Sequence, residues 1–268
     1  MVHVEVANLY KRSYSMLWSV LSFKAGLINT AGFLIAGSFV SHVTGFGTQV
    51  GLAIGHSDFT FGLELLVIPI AFISGGFITS MILDWNYAKD KIPNYPLVQS
   101  LITFLLGLIS ILFFFEILLS KTELTSHENS IFTIAILCLI CGLKNGLTTY
   151  ASHGKIRTTH LTGLSTDIGL HLPKLFKKSN ANYRYPEEKK VNYVRIITLL
   201  SFSFGAFISA ILVPKIGHQI FYISFLISLG LLTISILNRK NALQLNAANT
   251  RGVKHENFNQ RIAAEHLA

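Results

Sequence analysis

"SHVTGFGTQVGL" (41–52) and "THLTGLSTDIGL" (159–170) share His, Thr, Gly, Thr, Gly and Leu at six matching places, 118 residues apart. Each is a polar, glycine-bearing phrase set between long apolar runs. Each follows the first apolar run of its half of the chain and precedes a short apolar stretch. How the two phrases sit relative to those runs decides the fold.

The surroundings are those of a membrane protein. Of 268 residues, 51% are hydrophobic and 13% are charged, whereas soluble domains carry about 25% charged residues. Mean hydropathy is +0.51. Six apolar segments, 17–39, 62–83, 97–119, 130–150, 194–213 and 217–238, are each close to 20 residues. At 1.5 Å per residue that length matches a hydrocarbon core of ~30 Å. A lone strand in lipid leaves its backbone unpaired, so all six are expected to be helices. The first is too long and too polar inside, with Lys24 and Asn29, to be a cleaved leader.

The phrases fall outside these six. The choice is between eight crossings and six crossings with two re-entrant or half-spanning helices, and charge selects six. With a cytoplasmic N-terminus, segments 1–16, 84–96, 151–195 and 239–268 hold 18 of the 22 Lys and Arg, leaving only Lys121 and Lys215 outside and Lys24 and Lys144 within helices. Eight crossings weaken that asymmetry, against the positive-inside rule. The same rule accounts for the net charge of +9, so nucleic acid is not an expected partner.

The expected architecture is therefore all-α and polytopic. It comprises a cytoplasmic N-terminus (1–16), a first membrane repeat (17–119), a second (130–238) with a basic cytoplasmic loop (173–193), and a cytoplasmic polar tail (239–268). Each repeat has three crossings, an odd number, so the second is inverted relative to the first. Interrupted segments at matching places of inverted repeats point to a midplane binding site. Close helix packing by small residues is the competing reading.

"GLINTAGF" (26–33) with the first phrase, and "GLKNG" (142–146) with "IRTTHLTGLSTDIG" (156–169), resemble the YoaK-like family of uncharacterised bacterial inner-membrane proteins. In that family an acid commonly stands at the place of Asn29 and an Asn at the place of Phe46. Here Leu164 and Ser165 follow Gly163 where the family commonly has Thr directly after the Gly. The resemblance implies location in the bacterial cytoplasmic membrane and names no solute.

The candidate solute-binding residues are Asn29, Thr44, Gly45, Thr48, Asn145, Thr162, Gly163 and Thr166. Gly45 and Gly163 can turn the chain, and Thr44 and Thr162 can cap the helices that follow. Helix N-termini placed at the midplane would offer N–H groups and partial positive charge to an anion or a polar solute. Asn29 and Asn145 precede their phrase histidines by 13 and 15 residues and are read as equivalents. Candidates for proton coupling are His42, His160 and Asp167, since His titrates near neutral pH and an acid inside a membrane segment is functional by default. Lys24 lies about 12 Å into the first helix. It either faces a cavity, pairing with Asp167 or a solute anion, or snorkels to the inner surface; snorkelling is the favoured expectation.

Cys138 and Cys141 share one helix face in an apolar run and read as packing. No metal cluster, cofactor motif or nucleophile–base set is legible, so no enzyme activity, cofactor or metal is expected. The chain is expected to be a transporter or channel-like permease for a small polar, anionic solute. The alternative is a non-transporting scaffold or sensor acting through the basic loop and tail. The lipid bilayer is a partner in either case.

Overall fold

Backbone in lipid must close its hydrogen bonds internally, and the apolar runs do so as helices. The computed structural model describes the backbone of residues 12–87, 92–115, 127–156, 158–176 and 185–265. Among them there are helices and no strand: α1 Arg12–Ala36, α2 Val43–Gly55, α3 Phe59–Leu65, α4 Val67–Tyr87, α5 Tyr95–Phe114, α6 His127–Ala151, α7 Leu161–Phe176, α8 Tyr185–Ile216 and α9 Ile220–Glu265.

Five stretches of the described residues are long and apolar enough to cross a membrane: Tyr14–Ala36, Phe59–Trp85, Tyr95–Phe114, Ile131–Ala151 and Lys189–Gln244. The last is 56 residues and is divided between α8 and α9 by a one-turn 3-10 helix, Gly217–Gln219. Gly217 has φ +56, the left-handed conformation that a side chain disfavours. The chain is thus a multi-pass, all-helical membrane protein. So far as their residues are described, the six apolar segments fall on α1, α3 with α4, α5, α6, α8 and α9; residues 116–119 of the third lie outside the described residues. α9 continues from the last apolar segment to Glu265; of the basic loop, residues 177–184 lie outside the described residues. The repeated phrases form α2, 13 residues, and α7, 16 residues. At 1.5 Å per residue these reach about 20 and 24 Å, short of a ~30 Å core.

The long helices pair across the two halves of the chain: α1 packs on α8, α4 on α6, and α5 on α9. Glycines make the first two seams. A Cβ at Gly26 would collide with the carbonyl of Phe202, and one at Gly205 with the carbonyl of Phe23. In the other seam, a Cβ at Gly142 would collide with the carbonyl of Phe72, and one at Gly75 with the carbonyl of Leu139. Adding 116 to the α1 numbers and subtracting 130 from the α8 numbers turns the first set of contacts into the second. Small residues at crossings let backbones approach where no hydrophobic force acts between helices. Outside the seams, Phe77, Phe104, Ile111, Phe114, Leu200 and Phe204 are exposed, an apolar exterior that suits lipid rather than water.

Lys24 does not snorkel. It is fully buried, and its Nζ donates to Ser228 Oγ at 3.2 Å. Ser228 Oγ is also met by Gln99 Nε2 at 2.9 Å and Thr103 Oγ1 at 3.0 Å. Because α9 brings a hydroxyl to the ammonium where it stands, the side chain need not reach the headgroups. Lys144 is likewise buried and donates to the carbonyl of Leu21. Cys138 and Cys141 are buried free thiols in α6.

Candidate functional site

Each phrase is tied to the helix before it by one asparagine. Asn29 Oδ1 on α1 accepts from Ser41 N at 3.1 Å and Ser41 Oγ at 2.9 Å. Asn145 Oδ1 on α6 accepts from Thr159 Oγ1 at 2.5 Å. Ser41 and Thr159 stand directly before the phrase histidines. The connections reverse at Gly37, φ +77, and Gly154, φ +76.

The phrase glycines have a different role from the one expected. Gly45 and Gly163 are the third residues of α2 and α7, and neither has a positive φ. The imidazoles of His42 and His160 fold back onto them: an added Cβ would stand 3.0 Å from His42 Nδ1 at Gly45 and 2.5 Å from His160 Nδ1 at Gly163. The missing side chain makes room for a ring rather than for a turn. Thr44 and Thr162 do not cap, because α2 begins at Val43 with His42 as its N-cap residue and α7 begins at Leu161. The threonines are therefore second residues of their helices, with hydroxyls beside the first turn.

The two phrases meet. Asn29, His42 and Thr44 from the first half and Asn145, His160 and Thr162 from the second line one cavity of about 1020 Å³. Phe72 and Phe202, matched residues of the two seams, also face it, as does Gly142. From this paired centre the cavity continues along α4, past Gly76, Thr79 and Ser80, and along α6, past Thr149 and Tyr150. Beside it, Ser80 and Tyr150 of the wall both hydrogen-bond the exposed carboxylate of Asp84. Among the described residues of the wall there is no Asp, Glu, Lys or Arg. Polarity comes from amides, hydroxyls, the three imidazoles of His42, His153 and His160, and the first turns of two helices.

Five candidates lie off this wall, the phrase glycines Gly45 and Gly163 among them. Thr48 is exposed on α2, and Thr166 is exposed on α7 with its hydroxyl donating to the Thr162 carbonyl at 3.1 Å. Asp167 pairs with Arg195 Nη2 on α8 at 3.0 Å and does not meet Lys24. One helical turn carries a side chain from Thr44 to Thr48, but the wall touches only the start of α2. The sequence reading also missed wall residues. Ser41 and Thr159 were legible as hydroxyl residues preceding His in both phrases. Thr79, Ser80, Thr149 and Tyr150 had no such mark, since hydroxyls in transmembrane helices commonly serve backbone carbonyls. Thr79 Oγ1 does this too, donating to Leu143 O at 3.1 Å while lining the cavity. Among the described residues no group of three or more His, Cys, Asp or Glu is placed to hold a metal.

No curated protein and no solved structure matches the chain. One family does, over residues 17–235, a range that takes in both phrases, both seams and the whole cavity wall. The chain therefore belongs to the family described as protein of unknown function, DUF1275.

Proposed function

We propose that the chain is a transporter or channel-like permease for a small polar, anionic solute, held where α2 and α7 meet. The observation that carries this reading is the single cavity of about 1020 Å³ whose centre is built from matched residues of the two phrases. The paired seams support an arrangement of two inverted repeats with six crossings, α2 and α7 being half-spanning. The concentration of Lys and Arg in four of the connecting and terminal segments supports cytoplasmic N- and C-termini. On that topology the end of the cavity beside Ser80 and Tyr150 lies toward the cytoplasm. The YoaK-like resemblance supports a bacterial cytoplasmic membrane.

The wall favours an anion or neutral polar solute over a cation. Its described residues carry no carboxylate, and helix N-termini with amide and hydroxyl donors favour negative charge. The reading assigns no catalytic step, cofactor or metal. The bilayer and the solute are the partners it requires.

The test is uptake into proteoliposomes of a labelled panel: short-chain carboxylates, amino acids and neutral polyols. At least one member is expected to enter faster than into protein-free vesicles. Thr44→Val and Thr162→Val should each abolish that uptake while the purified variants keep their thermal stability. A panel that never enters, or uptake indifferent to both variants, removes the reading.

A further inference from the structure

The cavity has a paired centre and an unpaired vestibule. The centre draws on both halves equally, through Asn29 with Asn145, Thr44 with Thr162 and Phe72 with Phe202. The vestibule belongs to α4 and α6 alone, running from Phe72 to Ser80 on α4, about 12 Å at 1.5 Å per residue. The glycine seams supply the register for comparing it with the other pair: residue numbers rise by 116 from α1 to α6 and by 130 from α4 to α8. In that register Ser209 on α8 answers Thr79, and Phe33 on α1 answers Thr149.

The answering residues are off the wall, and their state is informative. Ser209 is completely buried and its Oγ has no hydrogen-bond partner. Interior hydroxyls are nearly always partnered, so an orphan calls for an explanation. Thr79, its counterpart, lines the vestibule and has a partner. Phe33 lies face to face with Phe39, ring centroids 4.3 Å apart, and Phe39 is itself part of the cavity wall. Where the second half offers a hydroxyl to the vestibule, the first half offers a stacked aromatic pair.

We infer that the cavity has a second entrance, between the C-terminal turns of α1 and α8, closed here by the Phe33–Phe39 stack and opened when the α4–α6 vestibule closes. Ser209 then lines a wet vestibule in the alternate state, as Thr79 does in this one. The two states differ by which helix pair is parted, and the paired centre is common to both. The inference rests on reading the cavity as a transport site.

The test needs no solute. In a Cys138→Ser, Cys141→Ser background, single cysteines are placed at Thr149 or at Ser209. A membrane-impermeant maleimide is then added to one side or the other of oriented vesicles. Thr149→Cys is expected to react from the side on which α4 and α6 end. Ser209→Cys should react from the opposite side and at least about tenfold more slowly, since the minor state of such a pair is populated at roughly 0.1–10%. Adding Phe39→Ala should raise the Ser209→Cys rate and lower the Thr149→Cys rate together; Phe39→Leu serves the same purpose if the alanine variant is unstable. Ser209→Cys silent from both sides, even with the stack removed, overturns the inference. So does a rise at Ser209 with no change at Thr149, which would describe a leak rather than an alternation. If Thr149→Cys is also silent from both sides in every background, the cavity is dry and the transport reading falls as well.

Discussion

A methyl group at Gly142 is a direct test of the α4–α6 seam. Built on the present backbone, it would stand 2.9 Å from the Phe72 carbonyl carbon and closer still to the oxygen. Carbon–carbon contacts are comfortable at about 3.5–4.0 Å, so the helices must part by roughly 1 Å. The obstacle is backbone, which cannot rotate aside. Overpacking of this kind costs about 1–3 kcal/mol, partly offset by the better helix propensity of Ala, worth up to about 1 kcal/mol over Gly. Gly142→Ala should therefore be net destabilised by about 1–2 kcal/mol. Gly26→Ala, which meets the Phe202 carbonyl carbon at 2.9 Å, should behave alike. Gly51 has nothing within 4 Å of its notional Cβ, and Gly51→Ala should match or exceed the parent. The assay is thermal unfolding read by a thiol-reactive fluorophore, for which buried Cys138 and Cys141 are the native reporters. Equal midpoints for Gly142→Ala and Gly51→Ala would refute the close seam.

Ser228→Ala removes the acceptor of Lys24, while Gln99 and Thr103 keep backbone partners; leaving the buried ammonium unpaired should lower stability by about 1–3 kcal/mol, and Lys24→Met in the same chain should recover part of it, as chemical denaturation would show. Thr159→Ala should destabilise by about 0.5–1.5 kcal/mol through the lost bond to Asn145, with a larger proportional effect on uptake, whereas Thr166→Ala, on an exposed face, should leave uptake at the parental level. Asp167→Asn loosens the pair between half-exposed Asp167 and Arg195 and should shift stability by no more than about 1 kcal/mol, with the pH profile of uptake unchanged; an altered profile would return Asp167 to the proton path.

The six apolar segments were legible because lipid imposes both length and helicity, leaving little for tertiary context to override. The equivalence of Asn29 and Asn145 was legible because an amide interrupts each apolar run 13 or 15 residues before the phrase histidine. Orientation of side chains was not. Thr48 and Thr166 repeat as faithfully as Thr44 and Thr162, and only the packing of α2 and α7 decides which pair faces the cavity. Lys24 was misread for a related reason. Its partner Ser228 lies 204 residues away, and nothing local to "SFKAG" announces a hydroxyl arriving from α9. The glycines of the phrases were read by conformation when their role is volume, which depends on where a histidine ring three residues earlier is folded.

The pairing of α1 with α8, α4 with α6 and α5 with α9 has a consequence for how the protein is made. Synthesis delivers the first half to the membrane before the helices that complete its seams exist. Until α6 and α8 arrive, the grooves at Gly26 and Gly75 stand empty and Lys24 lacks Ser228. Assembly must therefore follow insertion, with the early helices held in a provisional arrangement by the insertion machinery or by lipid. Neither half contains its own interior, so a chain arrested midway is a substrate for membrane proteolysis, not a smaller working protein. Two fragments divided between α5 and α6 and made together can still find each other, because every long helix seeks its mate in the other fragment.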